Sequence, residues 1–122
     1  AGWPRAFGGF SGGAKRSAVL AAIATVLGRR PIGVFQGGCN EPTMTQALHA
    51  FHPTEAQFLG VPVFLSGGND DRIATREQVE DVAATLRSYG FKHIRYERFY
   101  VGHALHPGNV EAALRWFVDL AH

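Results

Sequence analysis

The chain has one cysteine, one methionine and almost no net charge. A single thiol, Cys39, excludes an internal disulfide framework and is typical of a small apolar residue that fills a core. The 12 Lys and Arg residues are scattered and nearly balance 10 Asp and Glu residues, so the formal charge of +2 gives no sign of a nucleic-acid partner. No apolar run approaches the roughly 20 residues that span a bilayer. We therefore expect neither a nucleic-acid partner nor a membrane span.

The chain also lacks a charged-then-apolar signal segment at its start. It begins with Ala1, and its one methionine, Met44, is internal. The expectation is that the natural N-terminus lies upstream of Ala1, which leaves both a cytoplasmic and an exported location open.

Apolar residues make up 46% of the 122 residues. This content predicts a single domain over 1–122 with one core. Short β-prone runs that end near glycines alternate with longer helix-prone stretches. The runs lie at 5–10, 31–35, 61–65 and 93–99. This order predicts an α/β fold: a parallel sheet of about four strands, with about four helices covering both of its faces.

Two kinds of signal predict helices along the chain, namely apolar stretches and capping residues. The stretch 14–27 is apolar on most faces, which predicts a fully buried helix, and a weaker helical segment lies at 43–51. Thr75 and Gln78 form a capping box ahead of a helix that Gly90 ends, and Asn109 is the predicted cap of the last helix.

The residues Gly9-Phe10-Ser11-Gly12-Gly13 fit the pattern G-x-S-x-G between a strand and a helix. A nucleophile on so tight a turn takes a strained backbone conformation, and we expect Gly9 and Gly13 to remove side chains that would collide. The Gly12 amide, at a helix N-terminus, is the predicted oxyanion donor. Two alternatives stay open: a glycine-packed turn without chemistry, and an anion-binding loop, although the P-loop and dinucleotide glycine spacings are absent.

A carboxylate and an imidazole follow later strands, at the edge of the sheet where ligands bind in α/β folds. Asp70 is the predicted orienting acid, with Asp71 as its rival; alternatively, both only cap the turn before the next helix. His103 is the predicted base and His106 its rival. We expect the other histidines to be surface or amphipathic residues: His49, His52, His93 and His122. No histidine pair has zinc-site spacing, so no metal is predicted.

The chain order Ser11, Asp70, His103 is one of the known triad orders. Together with the segments Gly68-Asn69-Asp70 and Gly102-His103, this order makes the sequence resemble the C-terminal half of α/β-hydrolases. Within that group it is similar to esterases of the polyhydroxybutyrate-depolymerase, feruloyl-esterase and dienelactone-hydrolase kind. The resemblance implies a serine esterase without cofactor: Ser11 attacks, His103 transfers the proton, Asp70 orients the imidazole, and an acyl-enzyme forms. The alternative is a non-catalytic hydrolase-like domain or fragment used for binding or assembly.

The same resemblance implies that strands and an oxyanion loop of the family fold precede this chain. The strand before Ser11 would then be a bare apolar edge, so we expect a homodimer, aggregation or association with an N-terminal half. No large lid is expected, and an open pocket suits bulky or polymeric esters, so the expected substrate is a small-molecule or polymeric ester. Its predicted lining is Phe10, Cys39, Asn40 and Leu105.

Overall fold

The computed structural model describes residues 4–100 and 102–122. Its strands are β1 (Ala6–Phe10), β2 (Gly33–Gly37), β3 (Val63–Gly68) and β4 (Ile94–Phe99). Its helices are α1 (Gly12–Val26), α2 (Thr43–Phe51), α3 (Glu55–Phe58), α4 (Arg76–Tyr89) and α5 (Pro107–Ala121). The predicted alternation of strands and helices is confirmed, and the short helix α3 is the one element that the sequence pattern did not indicate.

The four strands form one parallel sheet in the order β1-β2-β3-β4. Every residue of β2 and β3 is buried, as expected for central strands covered on both faces. Most residues of β1 and β4 are only partly buried, because within 4–100 and 102–122 each of these strands has a neighbouring strand on one side alone. The strand that precedes Ser11 is therefore an edge strand of this sheet.

Helices cover both faces of the sheet, as predicted. On one face α1, α2 and α4 pack on β2 and β3 in a core that includes Ala18, Met44, Leu65 and Leu86. On the other face α5 packs through Phe117 against Phe35 and Phe64. The carboxyl ends of all four strands meet at one edge of the sheet, from which the loops carrying the candidate residues emerge.

The helix boundaries confirm some predictions and correct others. The Thr75 hydroxyl accepts from the Gln78 amide while the Gln78 side chain accepts from the Thr75 amide, so the capping box is confirmed. The prediction that Asn109 caps α5 is wrong. His106 does so: its Nδ1 accepts from the Asn109 N–H at 3.1 Å, and Pro107 occupies the first helical position, where its missing N–H costs nothing.

The prediction that the first helix is buried all round is also wrong. The alanines of α1 face the sheet, but Leu20, Ile23, Val26 and Leu27 are exposed. They lie on the side of α1 for which the described chain supplies no neighbouring element. Separately, none of the helices in the described part of the chain is long and apolar enough to cross a membrane.

Candidate active site

Ser11 occupies the single-residue turn between the end of β1 and the start of α1. Its backbone has φ 55° and ψ −117°, a positive φ that is strained for a residue with a side chain. Its N–H donates to the Gly37 carbonyl at 2.7 Å, which fixes the turn against the end of β2. The predicted strained conformation at Ser11 is confirmed. The Gly12 amide begins α1, where the first N–H groups of a helix have no preceding turn to donate to, while the Ala14 N–H donates to the Ser11 carbonyl at 2.9 Å.

The glycines around Ser11 do not all have the role that the sequence suggested. A Cβ at Gly9 would lie 2.1 Å from the Gly13 carbonyl oxygen, so no side chain fits where β1 passes the first turn of α1. A Cβ at Gly13 would meet nothing within 4 Å. The steric prediction is therefore confirmed for Gly9 and wrong for Gly13, whose backbone, not its missing side chain, makes the close approach.

Partly buried His103 and buried Asp71 form a pair at the same edge of the sheet. His103 Nδ1 lies 2.7 Å from Asp71 Oδ2, and the two side chains are 16% and 1% exposed. Asp71 Oδ1 accepts from the backbone N–H groups of Ile73 and Ala74, both at 2.8 Å. The carboxylate is thus held by three donors in a fixed orientation.

The choice of Asp70 as the partner of the histidine is wrong, and its rival Asp71 takes that position. The turn that follows β3 is closed by a hydrogen bond from the Asp71 N–H to the Gly68 carbonyl at 3.2 Å. This closure leaves Asn69 and Asp70 exposed at the tip of the turn and directs Asp71 back into the protein. The alternative that both acids only cap the turn is also incomplete. Asp71 accepts hydrogen bonds from the loop amides of Ile73 and Ala74 and also binds the imidazole of His103.

The electrostatics of the pair define which nitrogen carries the proton. Burial alone would raise the pKa of the Asp71 carboxyl, but the hydrogen bonds from Ala74, His103 and Ile73 outweigh it and lower the pKa below its ordinary value of 3.8. Asp71 is therefore an anion at neutral pH and can only accept. His103 Nδ1 must donate to it, which leaves Nε2 of the neutral ring as an acceptor.

The imidazole of His103 lies against the residue that precedes Ser11. Its ring centroid is 4.4 Å from that of Phe10, and a Cβ at Gly38 would lie only 2.7 Å from His103 Cε1. Gly38 has φ 57° and so gives the ring room while the chain turns away from β2. Across residues 4–100 and 102–122 the structure records no hydrogen bond between the Ser11 hydroxyl and His103. Ser11 and His103 lie at the same edge of the sheet, where the His103 ring contacts Phe10, the residue before Ser11.

His106, the rival base, has a different environment. Its ring stacks on Phe99 with centroids 4.6 Å apart, and its Nδ1 is occupied by the Asn109 N–H. The Asn109 side chain in turn donates to the Ser66 hydroxyl at 2.9 Å, which ties the start of α5 to β3. His106 therefore anchors the loop that carries His103 instead of facing the site.

The predicted pocket residues are only partly brought together. Phe10 and Leu105 line one apolar groove of about 330 Å³ beside β1. Asn40 is exposed and donates to the Ile73 carbonyl, so it braces the loop of Asp71. Cys39 is buried, with its thiol 3.0 Å from the Glu41 carbonyl, and burial raises the pKa of that thiol. Cys39 is a core residue, with only 3% of its surface exposed.

Gln36 is a buried polar residue that the sequence analysis missed. Its amide nitrogen donates to the Ala14 carbonyl at 2.9 Å and to the Thr43 hydroxyl at 2.7 Å, while its Oε1 is buried without a partner among the described residues. It therefore ties β2 to the first turns of both α1 and α2. The only sequence signal was a polar residue inside an otherwise apolar strand.

No group of three or more His, Cys, Asp or Glu side chains in the described residues is arranged to hold a metal ion. The chemistry available at the edge is that of a hydroxyl, an imidazole with one acceptor nitrogen, a carboxylate and the amides of a helix N-terminus.

Comparison with known proteins finds similarity at the level of structure. No family model and no curated protein sequence matches the chain. Among solved structures, acyl-protein thioesterase 2 of Zea mays has a TM-score of 0.65 at 18% identity, covering 92% of this chain and 54% of that one. The carboxylesterase of Bacillus cereus has a TM-score of 0.66 at 20% identity, covering 93% and 49%. An α/β-hydrolase of Vibrio vulnificus has a TM-score of 0.60 at 23% identity, covering 97% and 46%.

These matches define the class of fold. The chain has the α/β-hydrolase fold, as the resemblance implied, and it spans about half the length of the solved structures that it matches. The turn, acid and histidine described above lie on the elements of this shared fold.

Proposed function

We propose that the chain carries the catalytic residues of a serine hydrolase that acts on carboxylic esters or thioesters. The observation that carries this proposal is the pair of buried Asp71 and partly buried His103, 2.7 Å apart, whose imidazole lies against Phe10, the residue before a serine with a strained backbone. Strain at a non-glycine residue persists only where the surrounding structure enforces it, and it is concentrated at functional sites. Asp71 takes the role that the sequence analysis gave to Asp70.

The proposed reaction begins with attack of Ser11 Oγ on the substrate carbonyl carbon. His103 Nε2 takes the hydroxyl proton as the bond forms, and Asp71 stabilises the resulting imidazolium through Nδ1. The carbonyl oxygen becomes an oxyanion near the Gly12 amide at the start of α1. Collapse of the intermediate breaks the ester bond, and His103 gives the proton to the departing alcohol or thiol.

The second half of the reaction repeats these steps with water. His103 Nε2 takes a proton from water as its oxygen attacks the acyl-Ser11 carbonyl, and the proton then returns to Ser11 Oγ as the carboxylic acid leaves. The bonds and protons of these two half-reactions balance without a cofactor or a metal ion. The similarity to the structures of an acyl-protein thioesterase and a carboxylesterase supports this reaction class.

The experiment is hydrolysis of p-nitrophenyl and thiocholine acyl esters by the purified chain. Ser11→Ala is expected to abolish turnover, because no other nucleophile lies on the turn. Ser88→Ala is the matched control: Ser88 is exposed on α4 and bonds only its own helix, so its loss should leave turnover unchanged. Turnover that survives Ser11→Ala would contradict the proposal. Absence of turnover from a folded wild-type chain would favour the non-catalytic binding or assembly domain.

A further inference from the structure

Gln36 is a polar side chain in the core beside the sheet. Every residue of β2 is buried, and Gln36 is 0% exposed. Side chains two apart on a strand share a face, so Gln36 lies on the same face as Val34, in the core that α1 and α2 cover. Its Oε1 has no hydrogen-bond partner among the described residues. Because an unpaired buried acceptor costs free energy, stability alone favours an apolar side chain at this position.

The orientation of the Gln36 amide is set by its two acceptors. The Ala14 carbonyl oxygen lies 2.9 Å from Nε2 and can only accept, so the nitrogen and not the oxygen of the amide faces it. The same nitrogen donates to the Thr43 hydroxyl at 2.7 Å. Both N–H groups of the side chain are therefore used at the first turns of two helices, α1 and α2.

Gln36 and the next residue of β2 hold the two ends of the turn that carries Ser11. The Gly37 carbonyl accepts from the Ser11 N–H at 2.7 Å, and the Ser11 carbonyl accepts from the Ala14 N–H at 2.9 Å. The carbonyl of Ala14 in turn accepts from the Gln36 side chain. The segment 11–14 is thus bonded to β2 at its first residue by a backbone group and at its last residue by the Gln36 amide.

The Ala14 carbonyl would have a donor even without Gln36. The Ser17 hydroxyl donates to the same oxygen at 2.6 Å from within α1. The bond from Gln36 differs from that bond in one respect, since it joins α1 to another element of the fold. Its effect is therefore to fix the place of the first turn of α1 on the sheet.

We infer that Gln36 is a positioning residue for the proposed nucleophile. Its bond to Ala14 fixes the first turn of α1, and with it the Ser11 hydroxyl and the Gly12 amide, at the edge of the sheet where His103 is held. This role rests on the proposed function and acts only through the turn, because Gln36 has no exposed surface with which to touch a substrate. The hydroxyl and the amide must meet the carbon and the oxygen of one carbonyl group, and a displacement of about 1 Å can cost on the order of 100-fold in rate.

The test replaces the amide by an apolar side chain of similar length, in the variant Gln36→Met. Ester hydrolysis and the rate of Ser11 labelling by a fluorophosphonate are measured on wild type and variant, both shown to be folded by circular dichroism. The labelling rate and kcat/KM should each fall about 10- to 100-fold. The loss should lie in kcat, with KM changed less than about twofold, because the substrate-binding surface is untouched. Gln36→Leu is measured beside it, so that one folded variant suffices.

Ser17→Ala is the matched control. It removes the other side-chain bond to the Ala14 carbonyl, but that bond lies within α1 and does not join the helix to the sheet. Its labelling and hydrolysis rates should stay within about twofold of the wild type. An equal loss in Ser17→Ala and Gln36→Met would show that the carbonyl needs hydrogen bonds from any donor, and would overturn the inference.

Amide exchange separates this role from the proposed chemistry. In Gln36→Met the Ser11 and Ala14 amides should exchange faster than in the wild type, while the Val34 amide, bonded to the Pro62 carbonyl, should be unchanged. If wild type and variant are labelled at the same rate, the positioning role is overturned and the proposed function stands. A folded wild type that is never labelled contradicts the proposed function instead. The role of Gln36 in holding the turn is then decided by exchange, and unchanged exchange at Ser11 and Ala14 overturns it.

Discussion

His103 Nδ1 and Asp71 Oδ2 lie 2.7 Å apart, in a pair that joins the loop after β4 to the loop after β3. The imidazole has little freedom, because the carboxylate that holds it is itself fixed by the Ile73 and Ala74 amides. The pair therefore sets both the orientation of the ring and the nitrogen that is left to accept a proton.

Exchanging the acid for an amide tests which aspartate acts in the site. Asp71→Asn should lower kcat/KM for ester hydrolysis by about 10⁴-fold, the loss that follows when a triad imidazole is held in the wrong tautomer. Asp70→Asn, one residue away at the exposed tip of the turn, should change it less than about threefold, since surface changes away from the reaction are nearly neutral. Steady-state kinetics on both variants checks this, and equal losses would contradict the assignment.

The stability of the fold should depend on pH through Asp71. Its pKa is lower in the folded chain than the ordinary 3.8, so the unfolded chain binds a proton more readily. The stabilisation is therefore complete above the unfolded value and is lost as the pH falls through the folded one. Urea unfolding of wild type and Asp71→Asn should show the difference in unfolding free energy shrinking below about pH 4. A difference that stays constant through this acid range would argue against the lowered pKa.

Alanine at Gly9 and at Gly13 should have opposite effects. A methyl group at Gly9 meets the Gly13 carbonyl at 2.1 Å, so Gly9→Ala should destabilise by at least about 1–3 kcal/mol. Gly13→Ala places a methyl in open space on α1 and should be neutral or stabilise by up to about 1 kcal/mol. Denaturant midpoints, measured at one protein concentration, compare the two. Equal destabilisation would show that both glycines clear space for the turn.

The Cys39 thiol should be unreactive in the folded chain. It is buried, and burial raises its pKa above the ordinary 9.0, so little thiolate is present or accessible at neutral pH. Iodoacetamide should modify Cys39 only in urea, as followed by intact mass. Rapid modification under native conditions would place the thiol at the surface, as expected for a residue that lines a pocket.

The alternation of strands and helices was predictable because glycines and apolar runs mark it locally. The capping box at Thr75 and Gln78 and the tight turn at Ser11 are also local patterns, and both are found. Two features could not be predicted, namely the acid that pairs with His103 and the cap of α5. Both depend on the direction in which a loop closes. Asp70 and Asp71 are adjacent and chemically identical, and only the Gly68–Asp71 hydrogen bond decides which faces the histidine. Asn109 is a good cap by residue type, but the chain enters α5 at Pro107, so the capping position falls on His106.

The exposed side of α1 shows a further limit of sequence reasoning. An apolar stretch around a whole helix predicts burial, but how much of the helix is buried depends on which elements pack around it. Within the described residues the sheet ends at β1, so Leu20, Ile23, Val26 and Leu27 remain at the surface. The apolar pattern therefore overestimated how much of this segment is buried in the described structure.

The most direct test of the account is covalent labelling with a fluorophosphonate, followed by tryptic digestion and mass spectrometry. Cleavage after Arg5 and Lys15 releases the peptide 6–15, in which Ser11 is the only hydroxyl-bearing residue. We predict the phosphonyl adduct on this peptide in the wild type and in Asp70→Asn, strongly slowed labelling in Asp71→Asn, and no labelling in Ser11→Ala. A folded wild-type chain whose peptide 6–15 stays unmodified would contradict the assignment of Ser11 as the nucleophile.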